Sequence, residues 1–184
     1  MTGCEPSFFD PLAGNVRVDD QAKYLTYFCT RPPILIGPKI IDEMLEISRN
    51  NADTDLRLCL HDQPHASQHD MIIVESPRTY YRPHKHPDKC DVIHVIRGRL
   101  AVFLFDEHGG VTNSENLGPG EIYRIPNNLF HTMRPITDPV VYHENKPGPY
   151  IGPSENKFAP WSPEDEDPLS TGSFTSKLSI DLSK

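Results

Sequence analysis

The segment RPHKHPDKCDVIHVIRG (82–98) sets His84 and His86 one residue apart between prolines and follows them with Asp91. Alternate residues of a regular strand project from the same side. His84 and His86 therefore share a face with Tyr80 and Arg82, and Lys85 points away. Asp91, Ile93 and Val95 share a face on the strand that follows. Two imidazoles and a carboxylate converging in one cavity are ligands for a first-row transition metal. A third imidazole comes much later, in GEIYRIPNNLFHTM, where His131 lies just past a Pro-Asn-Asn turn. A lone strand histidine is ordinarily no ligand; three at these spacings point to a metal centre. Such a centre polarises a carbonyl or hydroxyl as a Lewis acid, or binds oxygen when the metal is iron. Three histidines with or without a carboxylate suit Fe(II), Mn(II), Ni(II) or Zn(II).

Strands must position these groups. DLRLCL (55–60) alternates apolar and polar residues, and MIIVES, TYYRPH (79–84), DVIHVIR (91–97), LAVFLF (100–105), EIYRI (121–125) and PVVYHEN (139–145) follow. Turn signals at Arg97-Gly98-Arg99, His108-Gly109-Gly110 and Gly118-Pro119-Gly120 separate several of them. Many short strands at this spacing predict a sandwich or barrel. One helix precedes them, PKIIDEMLEISR (38–49). Pro38 suits its first position, Ile40, Ile41, Met44, Leu45 and Ile47 form a stripe, and Asn50-Asn51 can end it.

The 184 residues suit one domain, divided here into an N-terminal arm (1–37), a helix plus barrel (38–153) and a polar C-terminal tail (154–184). The arm is punctuated by prolines, with YLTYF (24–28) as a short strand. The tail, containing WSPEDEDPLSTGS, has little to bury, and FTSKLSIDL (174–182) is read as a late strand. A formal net charge of −8 argues against nucleic acid or an anionic membrane surface as partner. No run approaches the roughly 20 apolar residues of a membrane span. Cys4, Cys29, Cys59 and Cys90 are scattered, as expected of reduced thiols in a cytoplasmic protein.

The two histidine segments resemble the paired motifs of the cupin superfamily, G-x5-H-x-H-x3,4-E-x6-G and G-x5-P-x-G-x2-H-x3-N. The first reads here as His84-x-His86-x4-Asp91-x6-Gly98, and the second as Gly120-x5-Pro126-x-Asn128-x2-His131. Arg78 and Asn128 stand where the motifs have glycine, Pro135 where the second ends in Asn, and Asp91 where the first has Glu. Asn accepts a left-handed turn, so Asn128 can preserve the geometry. Asp91 is one methylene shorter than Glu, which leaves it either a direct ligand or a partner of a bound water or neighbouring histidine. RPHKHPDK, IRGRLAVFLFDEHGGVT, LGPGE and ENKPGPY together resemble the WbuC family of cupin-fold metalloproteins from about Asp55 to Gly152. The resemblance implies a mostly β chain folded as a cupin-type double-stranded β-helix (jelly-roll) barrel with one N-terminal helix and irregular arms. It also implies one divalent transition metal held by His84, His86, His131 and Asp91.

Around that centre the alternation supplies a candidate substrate shell. Arg82 could clamp a carboxylate or phosphate, and Tyr142 and Lys146 share a face with Glu144, a candidate general base. Tyr80 could orient a hydroxyl or move a proton. The competing reading of these groups is an ion-pair network that holds the barrel together. Three functions follow as expectations. The first is a metal-dependent enzyme acting on a small polar molecule, possible substrates being sugars or sugar acids, by isomerase or epimerase chemistry. The second is a non-haem Fe(II) dioxygenase with a three-His centre. The third is a non-catalytic ligand-binding module. The many strand edges also lead us to expect a homodimer.

Overall fold

The computed structural model describes residues 6–164 and 168–178. Two sheets carry the fold. The core strands are β4 (Gln68–Glu75), β5 (His84–Lys85), β6 (Asp91–Arg97), β7 (Leu100–Phe105), β8 (Val111–Leu117), β9 (Ile122–Ile125), β10 (Phe130–Pro135) and β11 (Val140–Pro147). They order as β4-β11-β6-β9 in one sheet and β5-β10-β7-β8 in the other, with antiparallel pairing. That interleaving of early and late strands is a pair of Greek keys wound together, so the chain is a cupin-type jelly roll. Between the sheets lies an apolar core that includes Ile73, Ile93, Val95, Val102 and Ile125.

The arm is part of this fold. β1 (Val16–Val18) and β2 (Leu25–Cys29) extend the first sheet, and β2 runs parallel to β3 (Leu56–Cys59), which pairs with β4. A parallel pair needs a crossover, and α1 (Pro38–Asn50) supplies it. Pro38 opens the helix after Gly37, and Ile41, Met44 and Leu45 are buried against the outer face of the sheet, with Phe9, Leu56, Leu58 and Val74. Glu43 ties the arm down by accepting from Ser7 Oγ at 2.7 Å and from the Phe8 amide at 2.8 Å.

The tail departs from its expected character. Residues 174–177 are not strand but the end of α2 (Pro168–Lys177), and 179–182 lie outside the described residues. Ala159 and Leu178 are buried against Ala101, Phe103, Phe105 and Phe130 on the outer face of the second sheet, with Trp161 and Phe174 beside them. The Trp161 ring lies 5.0 Å from Phe105 and 5.9 Å from Phe130, and packs on Gly109, where a Cβ would come within 2.9 Å of the indole. Gly109 also has φ +90°, so its side-chain-free backbone is needed twice over. Since the tail covers an otherwise bare sheet, Trp161→Ala should cost about 2–3 kcal/mol, below the ~3–5 of a fully enclosed tryptophan. In thermal unfolding that is a fall of roughly 5–10 °C for a chain this size. An unchanged melting temperature would show that the tail is only solvated.

A buried polar pair sits within the barrel. Tyr142 Oη donates to Glu75 Oε2 at 2.6 Å, and Glu75 Oε1 is buried without a partner. Burial, reinforced by Asp55 and Glu144, pushes the Glu75 carboxyl up to about 8 despite the Tyr142 bond. The folded chain therefore holds this proton more tightly than the unfolded chain does. Its contribution to stability is complete below about pH 4.5 and is lost as the pH rises through about 8, at about 1.4 kcal/mol per pH unit between them. Glu75→Gln should remove that slope. Urea unfolding at pH 5.5 and pH 8 should show the variant gaining on the wild type at the higher pH; a constant difference would contradict this assignment.

Candidate metal centre

His84 and His131 are directly paired across β5 and β10, so their side chains leave the sheet on one side. His86 follows two residues after His84. The ring centroids lie 4.7 Å apart for His84 and His131, 5.0 Å for His84 and His86, and 5.8 Å for His86 and His131. One nitrogen of each ring falls within 4.8 Å of the others. A turn holds the two strands in register. Asn128 has φ +59° and its amide donates to the His86 carbonyl at 2.7 Å, while Asn127 Nδ2 donates to the Pro87 carbonyl. Asn128 thus adopts the left-handed geometry that a glycine would.

The ring chemistry matches metal binding. His84 Nδ1 donates to the Arg82 carbonyl at 3.0 Å and His131 Nδ1 to the Leu129 carbonyl at 2.9 Å. Those bonds fix the tautomer that leaves Nε2 unprotonated and available to a metal. Burial, then the neighbouring His131, pushes His84 down to about 3. Burial, then Lys146, takes His86 down to about 4, and burial lowers His131. All three rings are neutral at neutral pH, as ligands must be. His86 Nδ1 is buried and lacks a well-formed hydrogen bond, although the Glu155 backbone lies near enough to favour the charged ring.

Asp91 projects from the start of β6 into the same space. Its Oδ2 lies 3.5 Å from His86 Nε2 and 3.4 Å from His131 Nε2, and its Oδ1 is buried without a partner. Among the described residues the mutually close donor set contains the three histidines and not Asp91. The carboxylate leans on two of the rings rather than completing a four-donor cage. Burial and the nearby Glu144 push it up to about 7, against Lys146 and Lys89.

Inward residues of the first sheet form rows that face the histidines. Lys146 pairs with His69; next comes Cys59-Met71-Glu144-Ile93; then Arg57-Ile73-Tyr142-Val95. Lys146 Nζ sits 2.7 Å from Glu144 Oε1. Burial would raise Glu144, but Lys146 and Arg57 outweigh it and bring the carboxyl down to about 2. A strap over this end is held by Lys89, which pairs with Glu155 at 2.9 Å and donates to the Pro149 carbonyl. The Gly148 and Tyr150 amides donate to Ser67 and Pro64 carbonyls.

Of the residues expected around the centre, Glu144, Lys146 and Asp91 are brought to it. Tyr142 lies deeper, committed to Glu75. Tyr80 is not brought in: its hydroxyl donates to the Pro163 carbonyl at 3.1 Å and its ring meets the edge of Phe174. Arg82 is held at the sheet edge, with Nε donating to Ser162 Oγ at 3.1 Å and its guanidinium over the Phe158 ring. Both expectations assumed a regular strand through 79–86, but the pairing of β5 spans only His84–Lys85. Three interior groups were missed from sequence: Arg57, Glu75 and Tyr81. Arg57 alternates with Leu56 and Leu58 in DLRLCL, which is the signal that could have placed it inside.

Residues 36–117, less than half of the chain, match a family described as Domain of unknown function (DUF6016). That description does not confirm the resemblance to WbuC. No curated protein matches the sequence. Among solved structures, similar chains include the formate complex of oxalate decarboxylase from Lactobacillus farciminis, at 19% identity over 50% of this chain and TM-score 0.41. This chain covers 26% of that enzyme's length. KdgF from Halomonas sp. is 16% identical over 50% of this chain and 77% of its own, at TM-score 0.42. L-ribose isomerase from Cellulomonas parahominis is 15% identical over 59% of this chain and 70% of its own, at TM-score 0.47. The jelly-roll assignment rests on the strand pairing described above.

Proposed function

We propose that the chain binds one divalent transition-metal ion on His84, His86 and His131 and acts on a small polar molecule, a sugar or hydroxy-acid derivative. The observation that carries this reading is the convergence of three neutral imidazoles, those of His84 and His131 tied through Nδ1 to backbone carbonyls. Bound there, the metal would supply Lewis-acid polarisation of a substrate carbonyl or hydroxyl. Asp91 orients the rings of His86 and His131 from the side. Glu144, kept ionised by Lys146, accepts a proton beside the polarised carbon, and Lys146 holds the developing charge. Water access is limited by the strap pinned through Lys89. Isomerisation or epimerisation is the reaction class that uses these parts. The donor set of three histidines without Asp91 also suits a non-haem iron dioxygenase.

One experiment separates the readings. The protein is loaded in turn with Fe(II), Mn(II), Ni(II) and Zn(II) and incubated in D2O with aldoses, ketoses and uronic acids. Proton NMR follows exchange at carbon, and an electrode follows oxygen. Metal-dependent exchange, lost in Glu144→Gln, is the expected result. Substrate-dependent oxygen uptake with iron alone would replace isomerase with dioxygenase chemistry, and neither signal would leave a ligand-binding module.

A further inference from the structure

Of the charged groups that face the centre from the first sheet, Arg57 makes no direct hydrogen bond or ion pair among the described residues, although the charge of Glu144 acts on it. Glu144 is paired with Lys146, and Lys89 with Glu155. Arg57 projects from β3 into the barrel one row below Glu144, beside Tyr142. Its charge acts on Glu144, Cys59, Tyr81 and Tyr142, all inward residues. Yet it forms no hydrogen bond or ion pair among the described residues, and its Nε is buried and unpartnered. Glu75 is kept protonated at neutral pH by burial, and the buried Asp55 is engaged by the Ser76 amide and the Tyr81 hydroxyl. A guanidinium that has a carboxylate in its neighbourhood but no direct bond to it keeps donors free to hold an anion.

We infer that Arg57 is the receptor for a carboxylate group of the substrate, which places small organic acids rather than neutral sugars in this barrel. The planar fork of the guanidinium matches a carboxylate with two parallel hydrogen bonds, which a lysine cannot reproduce. Glu144 feels the charge of both Arg57 and His86, and the register puts it in the row next to Arg57. A substrate anchored at Arg57 would thus pass its α- or β-carbon by Glu144 on the way to the metal. The assignment deepens the proposed metal-dependent function and rests on it for the second anchor. It also reassigns the anion-binding role from Arg82, whose guanidinium is occupied by Ser162, Glu164 and Phe158.

The test is calorimetric titration of the zinc-loaded protein with malonate, lactate and glucuronate, and with glucose as the uncharged counterpart. Wild type, Arg57→Met, Arg57→Lys and Arg82→Met are compared, and zinc content and melting temperature are measured on the same samples. At least one acid should bind the wild type and Arg82→Met alike, more than tenfold more weakly to Arg57→Met, and at intermediate strength to Arg57→Lys; glucose should show no such ordering. Arg57→Met should keep its zinc and melt within a few degrees of wild type, since no direct hydrogen bond or ion pair of the arginine is lost and Glu144 keeps Lys146. No binding of any of the acids to wild type, or equal binding to Arg57→Met, would overturn the assignment. A lower melting point in both Arg57 variants without loss of acid binding would make Arg57 structural and overturn it equally. Acid binding that follows Arg57 in a wild type that takes up no zinc would uphold the anion site and sink the metal reading instead.

Discussion

His131→Ala is expected to lower metal affinity by about 100-fold or more while the protein stays folded. A structural zinc site of four ligands binds with about 10–16 kcal/mol, so each ligand is worth roughly 3 kcal/mol. His131 is central to the group: it pairs with His84 across the strands, and its Nε2 is 3.4 Å from Asp91. Alanine there removes a donor and frees Asp91 from one of its two imidazole neighbours. The fold should survive, because the apolar core begins below the site with Met133, Leu104 and Ile93. Competition with a fluorescent zinc chelator measures the change. His84→Ala should behave alike. Asp91→Asn, which keeps the side chain's shape, should lose only about 10–100-fold, the size expected for a group that orients ligands. Equal affinities in wild type and His131→Ala would place the metal elsewhere, and a loss in Asp91→Asn as large as in His131→Ala would make Asp91 a ligand.

The second large effect is on stability. Glu144→Ala should cost about 3–5 kcal/mol, the usual consequence of removing one member of a buried ion pair. Glu144 is 7% exposed, and its loss leaves Lys146 and Arg57 together in the barrel without a neutralising carboxylate. Because Glu144 titrates at about 2, below its ordinary 4.5, its contribution is present above about pH 4.5 and is lost as the pH falls through about 2. The difference between wild type and variant in urea unfolding should therefore be full at pH 7 and shrink below pH 4.5. The double variant Glu144→Ala with Lys146→Met should recover much of the loss, since an apolar pair of similar volume is tolerated where a lone charge is not. No recovery would mean that Glu144 acts through contacts other than Lys146.

The sequence was most legible where side-chain periodicity and element geometry coincide. His84 and His86 at i and i+2, Gly98 at φ +78° and Asn128 at φ +59° follow directly from the motif spacing, whereas β10, the strand that carries His131, has no place among the strands read from the sequence. β8 was missed because VTNSENL is polar and mostly exposed, so no apolar alternation marks it. Alternation also misled at Tyr80 and Arg82, since Pro83 lies in a segment that pairs only over His84–Lys85 and the earlier residues turn towards the tail. The tail itself hides its apolar contacts: Ala159, Trp161, Phe174 and Leu178 are widely separated in a polar stretch, and only the folded chain gathers them on one sheet. Arg57 was overlooked because an arginine among leucines reads as the solvent side of a strand. Here α1 and the arm cover the leucine face, which turns the arginine inward.

The most direct test of the metal centre is the metal content of protein purified without a metal-binding tag and reloaded with Fe(II), Mn(II), Ni(II) or Zn(II), measured by elemental mass spectrometry after removal of free ion. Wild type should hold about one equivalent of at least one of these metals, and the triple variant His84→Ala, His86→Ala, His131→Ala essentially none. Wild-type protein that retains none of them, or a triple variant that retains as much as wild type, would contradict it.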